Sequence, residues 1–239
     1  MPDLQLNLQG QALPLYLARP EGGQPGPGVV VLHDALGMST DLRRQCDWLA
    51  GEGFLAAAPD LFAGGTLFGC IFRVIREIRR REGRLFDQVE AVREHLEKHP
   101  DSNGRVGVIG FCFGGGFVVL LAAGQGFDAA SINYGGALPR DAEALLARAC
   151  PVVASYGALD RSSRGVPEQL EEILSRHGIP HDVKEYANTD HAFLNDHDPA
   201  EVPLFIRFIA FAFGGGAYHE ASAQDARRRI TAFFNCHLR

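Results

Sequence analysis

The 239-residue sequence predicts an α/β fold, in which a mostly parallel, twisted sheet is covered by helices on both of its faces. Short apolar runs rich in valine and alanine alternate along the chain with segments whose apolar residues recur at helical spacing. That alternation is typical of βαβ units, whose strands run parallel. Near the N-terminus, leucines instead alternate with polar residues on both sides of Gly10, which predicts an antiparallel hairpin.

The predicted elements follow one another in a regular order after the hairpin, whose leucines occupy positions 4, 6 and 8 and positions 13, 15 and 17. The predicted strands are 29–32, 54–58, 106–109, 129–134, 152–156 and 183–186. The predicted helices are 40–50, 85–96, 115–123, 141–149, 167–177 and 222–237. Two stretches, 62–83 and 195–218, break the alternation and are predicted to run across the sheet.

The composition is that of a globular protein, with 46% hydrophobic and 22% charged residues, and the length fits one domain spanning residues 1–239. A net charge of −6 argues against a nucleic-acid partner. The sequence lacks the run of about 18 apolar residues that a membrane span needs. Its five cysteines are widely spaced, so we predict neither disulfides nor a metal site. The N-terminus does not resemble a signal peptide, and the predicted location is cytoplasmic.

The strongest chemical motif is Gly110-Phe111-Cys112-Phe113-Gly114, which follows a predicted strand and opens a predicted helix. This is the context of a nucleophile elbow, G-x-S-x-G, with cysteine in the serine position. Glycines suit such a sharp turn, because side chains two residues from the nucleophile would collide with neighbouring backbone. The helix N-terminus favours the negative charge of a thiolate. The simpler alternative is a tight turn that holds an inert, buried cysteine.

A cysteine nucleophile needs a base, and the base needs an acid that orients it. His191 and Asp160 each follow the end of a predicted strand, where open α/β sheets place their active sites. With Cys112 they give the chain order nucleophile, acid, histidine of the α/β-hydrolases. Asp190 and Asp182 compete for the role of the acid. Asp190 is adjacent to His191, so its side chain should diverge, and Asp182 opens its strand; we therefore predict Asp160.

Together these motifs resemble those of the dienelactone hydrolase (carboxymethylenebutenolidase) family over about residues 12–238. The segments that carry the resemblance are 106–116, Asp160 after Tyr156-Gly157, His191-Ala192-Phe193, His33-Asp34-x-x-Gly37 and Pro59-Asp60-Leu61. The resemblance implies an α/β-hydrolase fold and a catalytic triad of Cys112, His191 and Asp160.

The resemblance also implies roles for the loop that follows the strand at 29–32. Backbone N–H groups of Ala35 and Phe113 would form the oxyanion hole. Asp34 takes the place of an acidic residue, usually glutamate, that contacts the resting thiol and modulates its ionisation. In this sequence the side chain at that position is one methylene shorter than glutamate.

The sequence departs from the family at the residues that bind a substrate carboxylate. Family enzymes that act on dienelactone have an arginine a few residues after the catalytic histidine, where this chain has Leu194 and Asn195. A second arginine precedes the elbow, and Arg73 and Arg76 are the candidates here. A carboxylate without a bidentate partner loses a strong contact. The apolar stretch 204–213 is predicted either to be an ordinary buried helix or to form an apolar wall of the pocket.

The predicted activity is therefore hydrolysis of a small-molecule ester or lactone through a thioester intermediate on Cys112. No cofactor or metal is needed for this chemistry, and the predicted assembly is a monomer or a small homo-oligomer. One alternative is a general carboxylesterase or thioesterase with an apolar acyl pocket. Another is a non-catalytic protein that binds ligands on the same scaffold, although a binding protein has no need of all three residue types in this order.

Overall fold

One eight-stranded sheet forms the centre of the described part of the molecule. The structure is a computed structural model and describes residues 4–22, 24–63, 73, 76–124, 126–204, 206 and 216–239. The strands are β1 (Leu4–Leu8), β2 (Gln11–Ala18), β3 (Gly26–Leu32), β4 (Leu55–Pro59), β5 (Ser102–Phe111), β6 (Ala129–Asn133), β7 (Val152–Gly157) and β8 (His181–Tyr186). They lie in the order β1-β2-β4-β3-β5-β6-β7-β8. The pairs β1–β2 and β2–β4 are antiparallel and all others are parallel, which confirms the predicted sheet.

Helices cover both faces of this sheet, as the sequence predicts. Within the described residues they include α1 (Thr40–Gly51), α2 (Arg84–Glu97), α3 (Phe113–Leu121), α4 (Ala142–Leu146), α5 (Val166–Arg176) and α6 (Glu220–Leu238). Helices α1 and α6 pack on one face, whereas α2, α3, α4 and α5 pack on the other. Each presents an apolar stripe to the sheet; on α1 the stripe is Leu42, Cys46 and Leu49, all buried. Truncating one such leucine to alanine costs about 2–5 kcal/mol.

The N-terminal hairpin joins the sheet through β2, whose Leu15 lies opposite Pro59 of β4. Leu13, Leu15 and Leu17 point into the core, so the period-two pattern identified the buried face correctly. Strand β5 begins four residues before the predicted start and continues to Phe111. Helix α3 accordingly begins at Phe113, two residues earlier than predicted.

Other predictions differ from the structure or fall outside the described residues. The helix predicted at 141–149 is limited to Ala142–Leu146: the N–H of Ala149 then bonds the carbonyl only three residues back, at Leu146, and the N–H of Cys150 bonds the carbonyl of Ala122 instead. Most of 204–213, and most of 62–75, lies outside the described residues, so the predictions for the apolar stretch remain predictions. Within the described ranges, every helix is too short or too polar to cross a bilayer.

Candidate active site

Cys112 lies on a strained turn between β5 and α3. Its backbone angles are φ 54° and ψ −117°, a region that costs a side-chain-bearing residue about 1–3 kcal/mol and is found most often at active sites. The turn is tight enough that a Cβ on Gly110 would lie 2.2 Å from the carbonyl oxygen of Gly114. The strand–turn–helix geometry predicted from the motif is therefore present. It places the thiol at the N-terminus of α3, where the helix dipole favours an anion.

Asp160 is held by four hydrogen bonds just beyond β7. Its carboxylate accepts from the backbone N–H of Ser162 at 2.8 Å and from the hydroxyls of Ser162 and Ser163 at 2.7 and 3.0 Å. The fourth bond joins its Oδ2 to Nδ1 of His191 at 2.8 Å. Although burial opposes ionisation, the bonds from His191 and Ser162 lower the pKa of Asp160. The side chain is thus a buried, charged acceptor that fixes the histidine.

His191 lies between Asp160 and Cys112. Since Nδ1 bonds Asp160, the other ring nitrogen, Nε2, is the one left to interact with the Cys112 side chain, which lines the same cavity. Burial by itself would lower the pKa of His191, but the hydrogen bonds to Asp160 and Cys112 outweigh it and raise the pKa to about 10. The imidazole is therefore positioned to exchange a proton with the thiol, and its cationic form is stabilised on both sides.

The two competing aspartates are placed differently. Asp182 forms a bidentate ion pair with Arg229 of α6, with distances of 3.0 and 2.7 Å. Asp190 has no hydrogen bond to His191 among the described contacts, as expected for adjacent side chains that diverge. Of the three candidate acids, Asp160 is the one that contacts His191.

The loop after β3 is fixed by a buried histidine. His33 donates from Nδ1 to the carbonyl oxygen of Asp34 at 2.7 Å, and its Nε2 accepts from the N–H of Leu61 at 3.3 Å. Burial lowers the pKa of His33, in keeping with a neutral ring in this tautomer. The carbonyl of Asp34 and the N–H of Ala35 belong to one trans peptide and point in opposite directions. Anchoring the carbonyl therefore also fixes the direction of the Ala35 N–H.

Asp34 itself is committed to partners other than the thiol. Its Oδ1 accepts from the N–H of Leu36 at 2.8 Å, and its Oδ2 lies 2.8 Å from Nε2 of His197. Burial opposes protonation of His197, but the hydrogen bond to Asp34 outweighs this effect, and the pKa of His197 is raised. The role of Asp34 toward Cys112 stays a prediction, and the structure shows each carboxylate oxygen already in a contact.

The residues considered for carboxylate binding do not meet in the site. Asn195, which stands where the family has arginine, is buried and uses both ends of its amide: Oδ1 accepts from the Tyr134 hydroxyl and Nδ2 donates to Asp41 at 2.6 Å. Arg73 donates to the carbonyl of Leu61 at 2.9 Å, and Arg76 is exposed. Neither arginine is among the described residues that line the cavity over Cys112.

That cavity, which we call the nucleophile chamber, has a volume of about 710 Å³. Its described lining includes the candidate catalytic and loop residues Asp34, Ala35, Cys112, Phe113, His191 and His197, and it contains no arginine or lysine among those residues. Of the five non-glycine residues described with positive φ, three line this chamber: Cys112, Tyr134 and Ala192. Backbone strain is thus concentrated at the candidate site. Within the described residues no cluster of histidine, cysteine and acidic side chains could hold a metal ion.

Sequence reasoning missed several residues that shape this site. Ser162 and Ser163 donate hydrogen bonds to Asp160 in addition to the bond from His191. The order aspartate-x-serine-serine is a recognisable signal for an aspartate that caps a turn. Tyr134 packs edge-on against His191, with 5.2 Å between ring centroids, and His197 contacts Asp34. These last two contacts join residues far apart in the chain, so no pattern in the neighbouring sequence predicts them.

Comparisons with known proteins show which family the chain belongs to. The model of the dienelactone hydrolase family matches residues 13–238. A Methylorubrum extorquens protein named "Putative carboxymethylenebutenolidase" is 25% identical over 252 residues, covering 97% of this chain and 79% of its own. The carboxymethylenebutenolidase of Pseudomonas putida is 31% identical over 121 residues, 47% of this chain and 51% of that one.

A solved structure shows the same fold. The dienelactone hydrolase-like promiscuous phosphotriesterase P91, from metagenomic libraries, superposes with a TM-score of 0.77 at 23% identity, covering 95% of this chain and 94% of its own. Since the family model spans nearly the whole described sheet and its connections, the chain belongs to the dienelactone hydrolase family and is a hydrolase of the ester and lactone class.

Proposed function

We propose that this chain hydrolyses carboxylic esters or lactones through a thioester formed on Cys112. The observation that carries the proposal is the arrangement of His191, which bonds Asp160 through Nδ1 and lines the same cavity as Cys112 with its other nitrogen free of Asp160. A base held in one tautomer against a nucleophile on a strained elbow is the arrangement that triad enzymes use.

Acylation begins when His191 takes the proton of the Cys112 thiol and leaves the sulfur as a thiolate. The sulfur attacks the carbonyl carbon, and the carbonyl π electrons move onto oxygen. The resulting oxyanion is placed to accept from the N–H groups of Ala35 and Phe113. Phe113 is the first residue of α3, and the first N–H groups of a helix have no partner within it. One such donor is worth roughly 3–4 kcal/mol in comparable enzymes.

Collapse of this intermediate expels the alkoxide, which takes the proton from His191 and leaves as the alcohol. The neutral imidazole then removes a proton from water, and the hydroxide attacks the thioester carbonyl. When the second intermediate collapses, the carboxylic acid product leaves and Cys112 returns as the thiolate beside protonated His191. Asp160 stays ionised throughout and stabilises the imidazolium, which its four hydrogen bonds allow.

One observation favours a general carboxylesterase over an enzyme dedicated to carboxylate-bearing lactones. The described lining of the nucleophile chamber has no guanidinium or ammonium group, and Asn195 is already bonded to Tyr134 and Asp41. A substrate carboxylate placed in the nucleophile chamber would lose its water without gaining a charged partner there, which is unfavourable. We therefore include uncharged esters as the second candidate substrate class.

The proposal is tested by measuring hydrolysis of p-nitrophenyl acetate and of a dienelactone by the wild type and by Cys112→Ala. We expect activity on at least one substrate and a loss of about 10⁵-fold in the variant, since removing a triad nucleophile costs about 10⁶-fold in kcat elsewhere. Cys46, buried on α1, supplies the control Cys46→Ala, which should alter stability without a comparable loss of rate. Wild-type rates in Cys112→Ala would contradict the proposal.

A further inference from the structure

A second cavity meets the nucleophile chamber at the residues proposed to bind the oxyanion. This cavity, which we call the distal chamber, has a volume of about 980 Å³. The two chambers share three lining residues, Ala35, Phe113 and Gly135. The distal chamber is thus adjacent to the point where the carbonyl oxygen of a bound ester would lie.

The position of His191 determines which part of an ester enters each chamber, provided that the proposed function holds. The leaving oxygen must lie within reach of His191, which has to protonate it. His191 lines the nucleophile chamber and is not among the described residues that line the distal chamber. With the carbonyl oxygen held at Ala35 and Phe113, the alcohol part occupies the nucleophile chamber, and the acyl part is directed the opposite way.

The walls of the distal chamber suit an apolar group. They include Phe62, Ile78, Leu120, Leu138 and Pro139. The charged residues that border it are exposed, and the ion pair between Arg81 and Asp141 cancels part of their charge. Exposed arginines are solvated and attract a bound anion only weakly. The chamber therefore recognises its occupant mainly by burying apolar surface.

We propose that the distal chamber is the acyl-binding site, and that the preferred substrates are esters of uncharged, medium-chain or aryl-substituted carboxylic acids. The alcohol group is bound separately, in the nucleophile chamber beside His191. Each buried methylene strengthens binding about threefold to fourfold. Because the acyl chain stays in the same chamber in the transition state, the gain is expected in kcat/KM.

The test is a series of p-nitrophenyl esters with acetyl, butanoyl and octanoyl groups. For the wild type we expect kcat/KM to rise at least tenfold from acetate to octanoate. Ala137→Phe places a large side chain at the exposed border of the distal chamber, and should lower the octanoate-to-acetate ratio at least fivefold. Val202→Phe makes a matched change in the nucleophile chamber, and should leave that ratio within twofold while changing the preference between methyl and benzyl octanoate.

Two results would overturn this assignment: a wild-type rate on octanoate no higher than on acetate, or a fall in the acyl ratio in Val202→Phe but not in Ala137→Phe. Far-ultraviolet circular dichroism shows whether both variants are folded, and Ala137→Ser provides a smaller change at the same position. If the wild type hydrolyses acetate without chain-length preference, the acyl site alone is wrong. If it hydrolyses no ester, the proposed function itself is wrong.

Discussion

Two imidazole–carboxylate pairs, His191–Asp160 and His197–Asp34, lie at the nucleophile chamber. They differ in the partner of the second nitrogen of each imidazole ring. In both pairs the nitrogen–oxygen distance is 2.8 Å. His191 bonds Asp160 through Nδ1, which leaves Nε2 for Cys112. His197 bonds Asp34 through Nε2, and its Nδ1 is buried without a hydrogen-bond partner among the described atoms. The distance between imidazole and carboxylate therefore does not distinguish the two pairs. They differ in the surroundings of the second ring nitrogen, which is Nε2 in His191 and Nδ1 in His197.

The carboxylates differ as well. Asp160 accepts four hydrogen bonds, two of them from serine hydroxyls, so the acid is fixed whether or not the histidine moves. Asp34 accepts one backbone bond from Leu36 besides the contact with His197. His197 connects the segment after His191 to the loop that carries Ala35. From this comparison we propose that the first pair transfers protons and that the second holds two parts of the chamber wall together.

Replacing each histidine in turn gives the largest expected difference. His191→Ala should lower kcat by about 10⁵-fold, because removing a triad histidine also removes the activation of the nucleophile. His197→Ala should lower kcat by less than about tenfold and lower the melting temperature instead, since a buried ionic partner is left alone. Ester hydrolysis and thermal unfolding of both variants check this. A loss in His197→Ala equal to that in His191→Ala would show that the second pair also takes part in the chemistry.

Replacing the carboxylates sharpens the same contrast. Asp160→Asn keeps the shape but presents an amide to His191, which favours the wrong tautomer, and kcat should fall by about 10³- to 10⁴-fold. Asp34→Asn keeps the acceptor for Leu36 and removes the charge beside His197, so kcat should change by less than about tenfold. Steady-state kinetics on one ester is sufficient. Equal losses in the two variants would contradict the roles assigned here.

How much of the fold and of the candidate site could be predicted from the sequence depends on how far apart in the chain the interacting residues lie. Strands, helices and the elbow depend on neighbouring residues, so the leucine alternation before β3 and the glycines around Cys112 identified them. The chain order of Cys112, Asp160 and His191 identified the residues that the fold brings together. The contact between Asp34 and His197 joins two loops that are 163 positions apart, and nothing near either residue indicates it.

The loop that carries Ala35 offers a smaller effect. His33→Asn retains a side-chain N–H near the position of Nδ1, whereas His33→Gln retains an acceptor near the position of Nε2. We expect the asparagine variant to stay within about fivefold of the wild-type kcat, and the glutamine variant to lose about tenfold to a hundredfold with little change in KM, since the oxyanion contact acts in the transition state. A larger loss of kcat in the asparagine variant than in the glutamine variant would show that the bond from Leu61 fixes this loop more than the bond to the Asp34 carbonyl does.

The smallest predicted effect is on titration. The raised pKa of His191, to about 10, depends partly on Cys112, so the ring should remain protonated across neutral pH in the wild type and titrate at lower pH in Cys112→Ser. The stability gained from the raised pKa of His191 is therefore fully present below the unfolded pKa of about 6.5 and is lost as pH rises toward 10. Two-dimensional NMR of histidine rings detects the shift. Identical titration curves in the two proteins would show that Cys112 does not contribute to the raised pKa of His191.

The measurement that tests the central claim most directly is mass spectrometry of the enzyme quenched in acid during turnover of a p-nitrophenyl ester. The account predicts a population whose mass is raised by one acyl group, with peptide mapping placing that group on Cys112. It also predicts no such adduct in Cys112→Ala. An acyl group on another residue, or full turnover by Cys112→Ala, would contradict it.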